Sequence, residues 1–372
     1  MKRVIIIASY LRFSPSLTDV VKRKDVKMSL HSEILEQPER IEFLLASQRK
    51  NVERIASEIR KRDVEYIFLA ARGTSDNAGR YANYLLGALN RLPLALATPS
   101  LFTYYNRPPK LKNALVIGVS QSGKSPDIVS VLEEGKRQGC LTLAITNETK
   151  SALARTSDFV LDIQAGSEVA VAATKTYTTE LMSIAMLSAA LSGNMKQWRE
   201  LGKVTGWMKS ALKQDEFIAQ SAQRYRYIDQ AVVLGRGFNY ATAFEWALKL
   251  KELTYIIAEP YSSADFAHGP IAMIESGYPV FAVAPKGKVF NSMLDMLKRL
   301  KKEFSADLVV ISNDKRALAL AQVPLVIPAD VPEWLSPLVS ILPAQLFAYH
   351  LTLAKGYDTE KPRTIRKITE TK

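Results

Sequence analysis

The sequence predicts an α/β protein of two tandem, doubly wound parallel-sheet domains, with a helical lead-in before them and a C-terminal tail after them. Three observations carry this reading. Short apolar runs of strand length alternate with helix-length segments, the pattern of strands covered by helices on both faces. A strand followed by Arg-Gly and a helix occurs twice, and so does a later strand that leads to Gly-Lys. Gly73 to Gly123 and Gly237 to Gly287 are both 50 residues apart, so the chain reads as a duplication.

Residues 1–27 contain Lys2, Arg3 and a short apolar run at 4–8, below secretory length and followed by no small-residue cleavage site. They read either as a flexible arm or as an upstream addition not native to the fold. Residues 28–62 form an amphipathic helical lead-in, and the first domain is placed at 28–200. Its first strand, Tyr66-Ile-Phe-Leu-Ala-Ala-Arg-Gly73, runs into Thr74-Ser-Asp-Asn-Ala78 and a helix through Leu86. Leu115-Val-Ile-Gly-Val119 then leads to Gly123-Lys124, and a β-rich run at 141–146 ends at Asn147. The polar, helical stretch 193–223 connects to a second domain placed at 201–352. There Ala231-Val-Val-Leu-Gly-Arg-Gly237 precedes Phe238-Asn-Tyr-Ala241 and a helix through Leu253. Pro279-Val-Phe-Ala-Val283 leads to Gly287-Lys288, and a run at 308–312 ends at Asn313. Residues 353–372 form a tail rich in Lys, Arg and Thr. The longest apolar helix candidate, 181–191, is about half of the roughly 20 residues a bilayer span needs, so no membrane segment is expected.

A chain of 372 residues, 47% of them hydrophobic, has the material for two cores. Cys140 is the only cysteine, which excludes an intrachain disulfide and a Cys-based zinc cluster and fits a reducing, cytoplasmic setting. His31, His268 and His350 are too few and too scattered to suggest a metal site, so no metal or other cofactor is expected. The formal charge of +13 suits an anionic partner, either a phosphorylated metabolite or nucleic acid. The basic residues are interspersed with acids, as on a solvated surface, and no nucleic-acid-binding motif accompanies them. Nucleic acid is therefore not the expected partner.

Ligands of parallel sheets bind beyond the carboxyl ends of the strands, which directs attention to the loops after Leu69, Val119, Leu234 and Val283. Ser120-Gln-Ser-Gly-Lys-Ser125 follows a strand and precedes a helix with Pro126 and Asp127 in its first turn. Hydroxyl donors, a glycine-opened backbone and the positive end of a helix suit a phosphate. A Ser-rich turn with an N-cap is the alternative, and Thr74-Ser75 after the preceding strand weighs against it. The Walker spacing is absent. The second half has Ala284-Pro-Lys-Gly287 in the equivalent loop, so only the first half keeps a phosphate cradle. Glu245, Lys249 and Glu252 share one helix face and read either as a solvated salt-bridge row or as acid-base machinery. Ser262-Ser-Ala-Asp-Phe-Ala-His268-Gly-Pro270 favours the second, since a histidine near a carboxylate can move protons near neutral pH. A lone structural histidine is the alternative.

These residues resemble the sugar isomerase (SIS) domain proteins, specifically the isomerase half of glucosamine-6-phosphate synthase and its relatives. The resemblance runs from about residue 28 to 371 and rests on Gly73-Thr-Ser75, Ser120-Gln-Ser-Gly123, Glu168-Val-Ala-Val-Ala-Ala-Thr-Lys175, Leu248-Lys-Leu-Lys-Glu252, His268-Gly-Pro270 and Pro362-Arg363 to Lys367. It implies that Ser75, Ser120, Gln121, Ser122 and Ser125 hold a sugar phosphate and that Val171 lines the site. Glu252 would shuttle a proton between C1 and C2, with Lys249 assisting beside it. His268 would open the sugar ring, reaching into a neighbouring subunit's site, which implies a homodimer with shared active sites. Lys367 would approach the sugar carbonyl from a tail that closes the site.

Two departures shape the expected activity. The synthase's glutamine-hydrolysing domain, with its N-terminal cysteine nucleophile, has no counterpart in residues 1–27, so glutamine is not the expected nitrogen donor. Ser122-Gly-Lys-Ser-Pro-Asp127 and the ending Arg366-Lys-Ile-Thr-Glu-Thr371 resemble the SIS-type glucosamine-6-phosphate deaminases instead. Asp265-Phe-Ala267-His268 lacks the lysine that the family carries before its histidine. The expected activity is an isomerising deaminase that turns glucosamine 6-phosphate into fructose 6-phosphate and ammonia. The alternatives are a related enzyme acting on galactosamine 6-phosphate or on an amine-linked fructose 6-phosphate, as a deglycase would, and a non-catalytic sugar-phosphate-sensing module.

Overall fold

The computed structural model of the protein describes residues 29–365 and 367. The arm expected at 1–27 and the last residues of the tail lie outside that range.

The lead-in is one long helix, α1 (Leu30–Arg60), started by a capping box in which Ser29 and Ser32 satisfy each other's backbone N–H groups. The first half follows as β1 (Tyr66–Ala70), α2 (Gly73–Asn90), β2 (Leu94–Leu96), α3 (Ser100–Thr103), β3 (Ala114–Val119), α4 (Pro126–Arg137), β4 (Leu141–Thr146), α5 (Ala152–Thr156), β5 (Phe159–Asp162) and α6 (Lys175–Ser192). The connection consists of α7 (Met195–Leu201), α8 (Val204–Leu212) and α9 (Asp215–Ala222). The second half repeats the plan as β6 (Gln230–Gly235), α10 (Tyr240–Thr254), β7 (Ile257–Ser262), α11 (Ser263–Ala267), β8 (Pro279–Val283), α12 (Phe290–Phe304), β9 (Asp307–Ser312), α13 (Lys315–Leu318), β10 (Val323–Val326) and α14 (Ser336–Ala354). The tail therefore begins at Lys355, since the last helix runs two residues into the stretch expected to be tail.

Each half forms a five-stranded sheet, ordered β2-β1-β3-β4-β5 and β7-β6-β8-β9-β10, with every pairing parallel. The two orders coincide when β6 to β10 are laid on β1 to β5, so the duplication read from the glycine spacing holds across the whole sheet. Alternate residues of each central strand serve different layers. Ile67, Ile117, Ile145, Val233, Phe281 and Val309 all belong to one core that runs through both halves. Their neighbours Phe68, Val116 and Ala144 face a separate outer layer over α4, and Val232, Ala282 and Val310 face another over α12. The two sheets thus look inward on a shared slab of helices. Within it α1 packs on α6, α2 on α10 and α6 on α14.

The most apolar long helix among the described residues is not 181–191 but α14, which together with the turn before it spans Glu333–Ala354, long and apolar enough to cross a membrane. Most of that segment is buried in the shared core, as in the central helix of a globular fold. The expectation that the histidines are scattered also fails for two of them. His31 of α1 and His350 of α14 converge on Asp215 of α9, with Nε2 atoms 2.7 and 2.6 Å from its two carboxylate oxygens.

Candidate active site

The loop after β3 sits at the carboxyl edge of the first sheet and is fixed by its own hydroxyls. Ser120 Oγ accepts the Gly123 N–H at 3.1 Å and Ser122 Oγ the Lys124 N–H at 3.4 Å. Gly123 has φ +59°, and a Cβ there would come within 2.1 Å of Ser151 Oγ, so the position requires glycine on both counts. The Leu153 N–H bonds the Gly123 carbonyl and the Asn147 N–H bonds the Gln121 carbonyl, tying the loop to β4 and α5. Ser125 occupies the N-cap position of α4 with its hydroxyl making no capping bond, and Pro126 takes the first helical position. Buried Asp127 pairs with Arg72 at 2.7 Å, which brings a guanidinium to the edge of the cradle.

A cavity of about 310 Å3 opens over this loop, of the size that suits a small polar ligand. Ser75, Ser120, Gln121, Ser122, Ser125, Val171, Glu252 and Lys367 all line it, together with Arg72, Thr74, Glu168 and Thr176. Eight of the ten residues expected at the site therefore meet in one place.

Another wall of the cavity comes from the second half. α10 crosses α2 and lays Glu245 and Lys249 against it, both essentially inaccessible. The reading of this row as a solvated salt bridge is thereby overturned: the helix face is an interdomain contact. Lys249 Nζ lies 2.5 Å from Glu252 Oε2, 3.4 Å from Glu245 Oε1 and 3.3 Å from Thr74 Oγ1. Lys249 thus stands behind Glu252 and does not itself line the cavity. Burial opposes its charge, but Glu245 and Glu252 outweigh burial and hold it well above the usual lysine range. Burial pushes Glu245 up to about 7, against the pull of Lys249 and the donors Asn77 and Thr74. Glu252 keeps about a quarter of its side chain exposed, toward the cavity.

Glu168 starts the segment that closes the other side. Its carboxylate accepts the Thr174 and Thr176 N–H groups at 2.9 and 3.1 Å and the Thr176 hydroxyl at 2.9 Å. Lys367 Nζ reaches it from the tail and also bonds the Ala170 carbonyl at 2.7 Å. Burial would raise Glu168, but Lys367 and the N–H donors hold it below the ordinary carboxylate range. The lead-in helix supports this segment, since Glu33 accepts the Val169 and Ala170 N–H groups and Glu36 pairs with buried Lys175 at 2.8 Å.

Beneath the cavity, Glu180 of α6 places Oε1 2.8 Å from Ser75 Oγ, while its Oε2 has no partner among the described residues. Burial pushes this acid up to about 8, with the Ser75 hydroxyl opposing. Nothing in the sequence pointed to Glu180, which sits in a helix with no polar face, or to Thr176, and Arg72 and Glu168 entered only as parts of motifs.

His268 lies apart from the cavity. It is exposed at the end of α11, where its backbone N–H bonds the Asp265 carbonyl at 3.0 Å.

The SIS domain profile matches residues 61–190 and 225–355. The isomerizing glutamine–fructose-6-phosphate aminotransferase of Thermococcus kodakarensis is 35% identical over 344 residues, covering 90% of this chain and 56% of that protein. The chain thus spans little more than half the length of the curated relatives it matches. Among solved structures, a candidate phosphosugar isomerase from Silicibacter pomeroyi is 32% identical with a TM-score of 0.81, covering 89% of this chain and 100% of that one. The C-terminal domain of glucosamine-fructose-6-phosphate aminotransferase from Francisella tularensis is 29% identical with a TM-score of 0.84, covering 92% and 100%. A glucosamine-6-phosphate deaminase from Thermotoga maritima, at 21% identity and a TM-score of 0.75 over 92% and 99%, is a likeness of fold alone.

Proposed function

The chain belongs to the SIS-domain family, related to the isomerase half of the aminotransferases, and from that premise we propose that it is an isomerising deaminase acting on glucosamine 6-phosphate. The observation that carries the proposal is the convergence, in one cavity between two domains, of a hydroxyl-lined loop and a carboxylate clamped by a buried lysine. Ser75, Ser120, Gln121, Ser122 and Ser125 take the phosphate at the mouth of α4, and Arg72 adds positive charge. The sugar's reacting end then faces Glu252. Glu252 removes the C2 proton of the open-chain aldose and returns it to C1, while Lys249 holds the carboxylate in place. Lys367 at the cavity wall stabilises the negative charge that grows on the carbonyl oxygen. The resulting fructose imine adds water, and ammonia and fructose 6-phosphate leave. His268 opens the ring, and its position outside this chain's own cavity supports action on a partner's site in a homodimer. Catalytic equipment of this kind weighs against a purely sensing module.

The test is ammonia release from glucosamine 6-phosphate, galactosamine 6-phosphate and amine-linked fructose 6-phosphate. Release from glucosamine 6-phosphate alone supports the proposal; preference for either of the others reassigns the substrate. A second reading, the same proton transfer run from fructose 6-phosphate toward the amino sugar, is favoured by the aminotransferase relatives. Synthesis with ammonia or glutamine, and no release, would replace the deaminase by that reading.

A further inference from the structure

The hydrogen bond between Ser75 and Glu180 has two possible polarities, and they have opposite consequences for an anion in the cavity. If Glu180 is ionised, Ser75 donates to it and turns a lone pair toward the ligand. If Glu180 is neutral, the acid can donate, and the Ser75 proton is left for the ligand. The surroundings favour the second arrangement. Glu180 is 1% exposed, no cation pairs with it among the described residues, and Oε2 has no partner. An ionised carboxylate in that position would carry its charge on an unsolvated oxygen. In the neutral acid, a proton on Oε2 would be a buried donor with nowhere to go, whereas a proton on Oε1 points at Ser75 Oγ.

We propose that Glu180 is a positioning residue for phosphate binding: its neutral carboxylic acid donates to Ser75 Oγ and so compels the Ser75 hydroxyl to donate into the cavity. The inference rests on the reading of the cavity as a sugar-phosphate site and adds to it a condition on protonation. Burial, which holds the acid up to about 8, keeps the donor form in place at neutral pH and releases it in mild alkali. The ionisable groups facing Glu180 are Glu168 from the segment before α6, Tyr177 from α6 itself and Glu245 from α10. Glu168 is held low and Tyr177 well above its ordinary range, so neither titrates between pH 7.5 and 9.5. Glu245, at about 7, is largely ionised across the same window. The ligand's own second ionisation, near 6, is complete before the window opens.

The experiment is calorimetric binding of fructose 6-phosphate at pH 7.5 and 9.5 to wild type, Glu180→Gln and Ser75→Ala, with thermal melts to verify folding. A glutamine amide donates to Ser75 at any pH. Wild type should lose about tenfold or more in affinity between the two pH values, on the scale of one hydrogen bond to a charged group. Glu180→Gln should match wild type within about threefold at pH 7.5 and keep its affinity at pH 9.5. Ser75→Ala should bind weakly at both and show no alkaline loss. A folded Glu180→Gln that loses affinity in parallel with wild type, or already at pH 7.5, overturns the inference while Ser75→Ala still reports on the cavity. Undiminished binding by Ser75→Ala removes the phosphate from this loop, and the inference falls with it.

Discussion

Glu252 and Ser122 both line the cavity, and their substitution should separate chemistry from binding. Glu252→Gln keeps shape and removes the base, so turnover should fall about 100- to 10,000-fold while fructose 6-phosphate affinity changes by only a few fold. Retention of more than a tenth of the wild-type rate would remove Glu252 from the mechanism. Ser122→Ala should weaken substrate and product alike, by about tenfold or more, because a contact to the phosphate is present before and after reaction. Unchanged product binding in calorimetry would place the phosphate elsewhere. Glu180 also makes a stability prediction. Its folded pKa, raised to about 8 from 4.5, means that folding favours the protonated acid. That contribution is complete below about pH 4.5 and is lost as pH rises through about 8. Wild type should therefore lose more stability between pH 5 and 9 than Glu180→Gln, by on the order of a few kcal/mol, in urea titrations. Equal losses would mean that Glu180 is ionised at neutral pH. This residue was not legible in the sequence because it reaches Ser75 across a helix–helix contact 105 positions away in the chain. The serine loop and the α10 row were legible because each is contiguous.

The elements show the same division. The six strands read from the sequence, β1, β3, β4, β6, β8 and β9, lie at the centres of the sheets, where burial on both faces writes an unbroken apolar run. The four that were missed, β2, β5, β7 and β10, are all edge strands. β2 and β5 are only three and four residues long, β7 is broken by Glu259-Pro260 and β10 by Pro324, and none leaves a run to detect. Twofold reading of the Glu245–Lys249–Glu252 row had a similar origin: charged residues at helical spacing look solvated until a second helix covers them. At the serine-rich loop after β3, the demand for glycine is sharp enough to test. Gly123→Ala meets a positive φ and Ser151 Oγ at once, and should lower both stability, by about 1–3 kcal/mol, and fructose 6-phosphate affinity. A variant that melts and binds as wild type would show that the loop can reshape without cost.

At the scale of the whole molecule, the shared helical slab joins the halves into one cooperative unit. Calorimetric melting should show a single transition, since neither half can open without exposing the common core; two resolved transitions would contradict that continuity. The proposed exchange of His268 between subunits has a quantitative signature. Inactive His268→Ala and Glu252→Gln chains, mixed equally and allowed to exchange, should regain about a quarter of the sites, because half the dimers are mixed and each holds one intact site. No recovery, with exchange verified by mass spectrometry, would place both residues in one chain's site. The contacts inside the slab carry a further consequence. α2 packs on α10 and α6 on α14, each helix against its own counterpart in the other half. That like-to-like contact is the signature of two identical subunits about a symmetry axis. A polypeptide carrying only one repeat would have to associate with its own copy to hide the same surface, so the present chain is in effect such a pair fused end to end, its two members free to diverge as their loops after β3 and β8 have done.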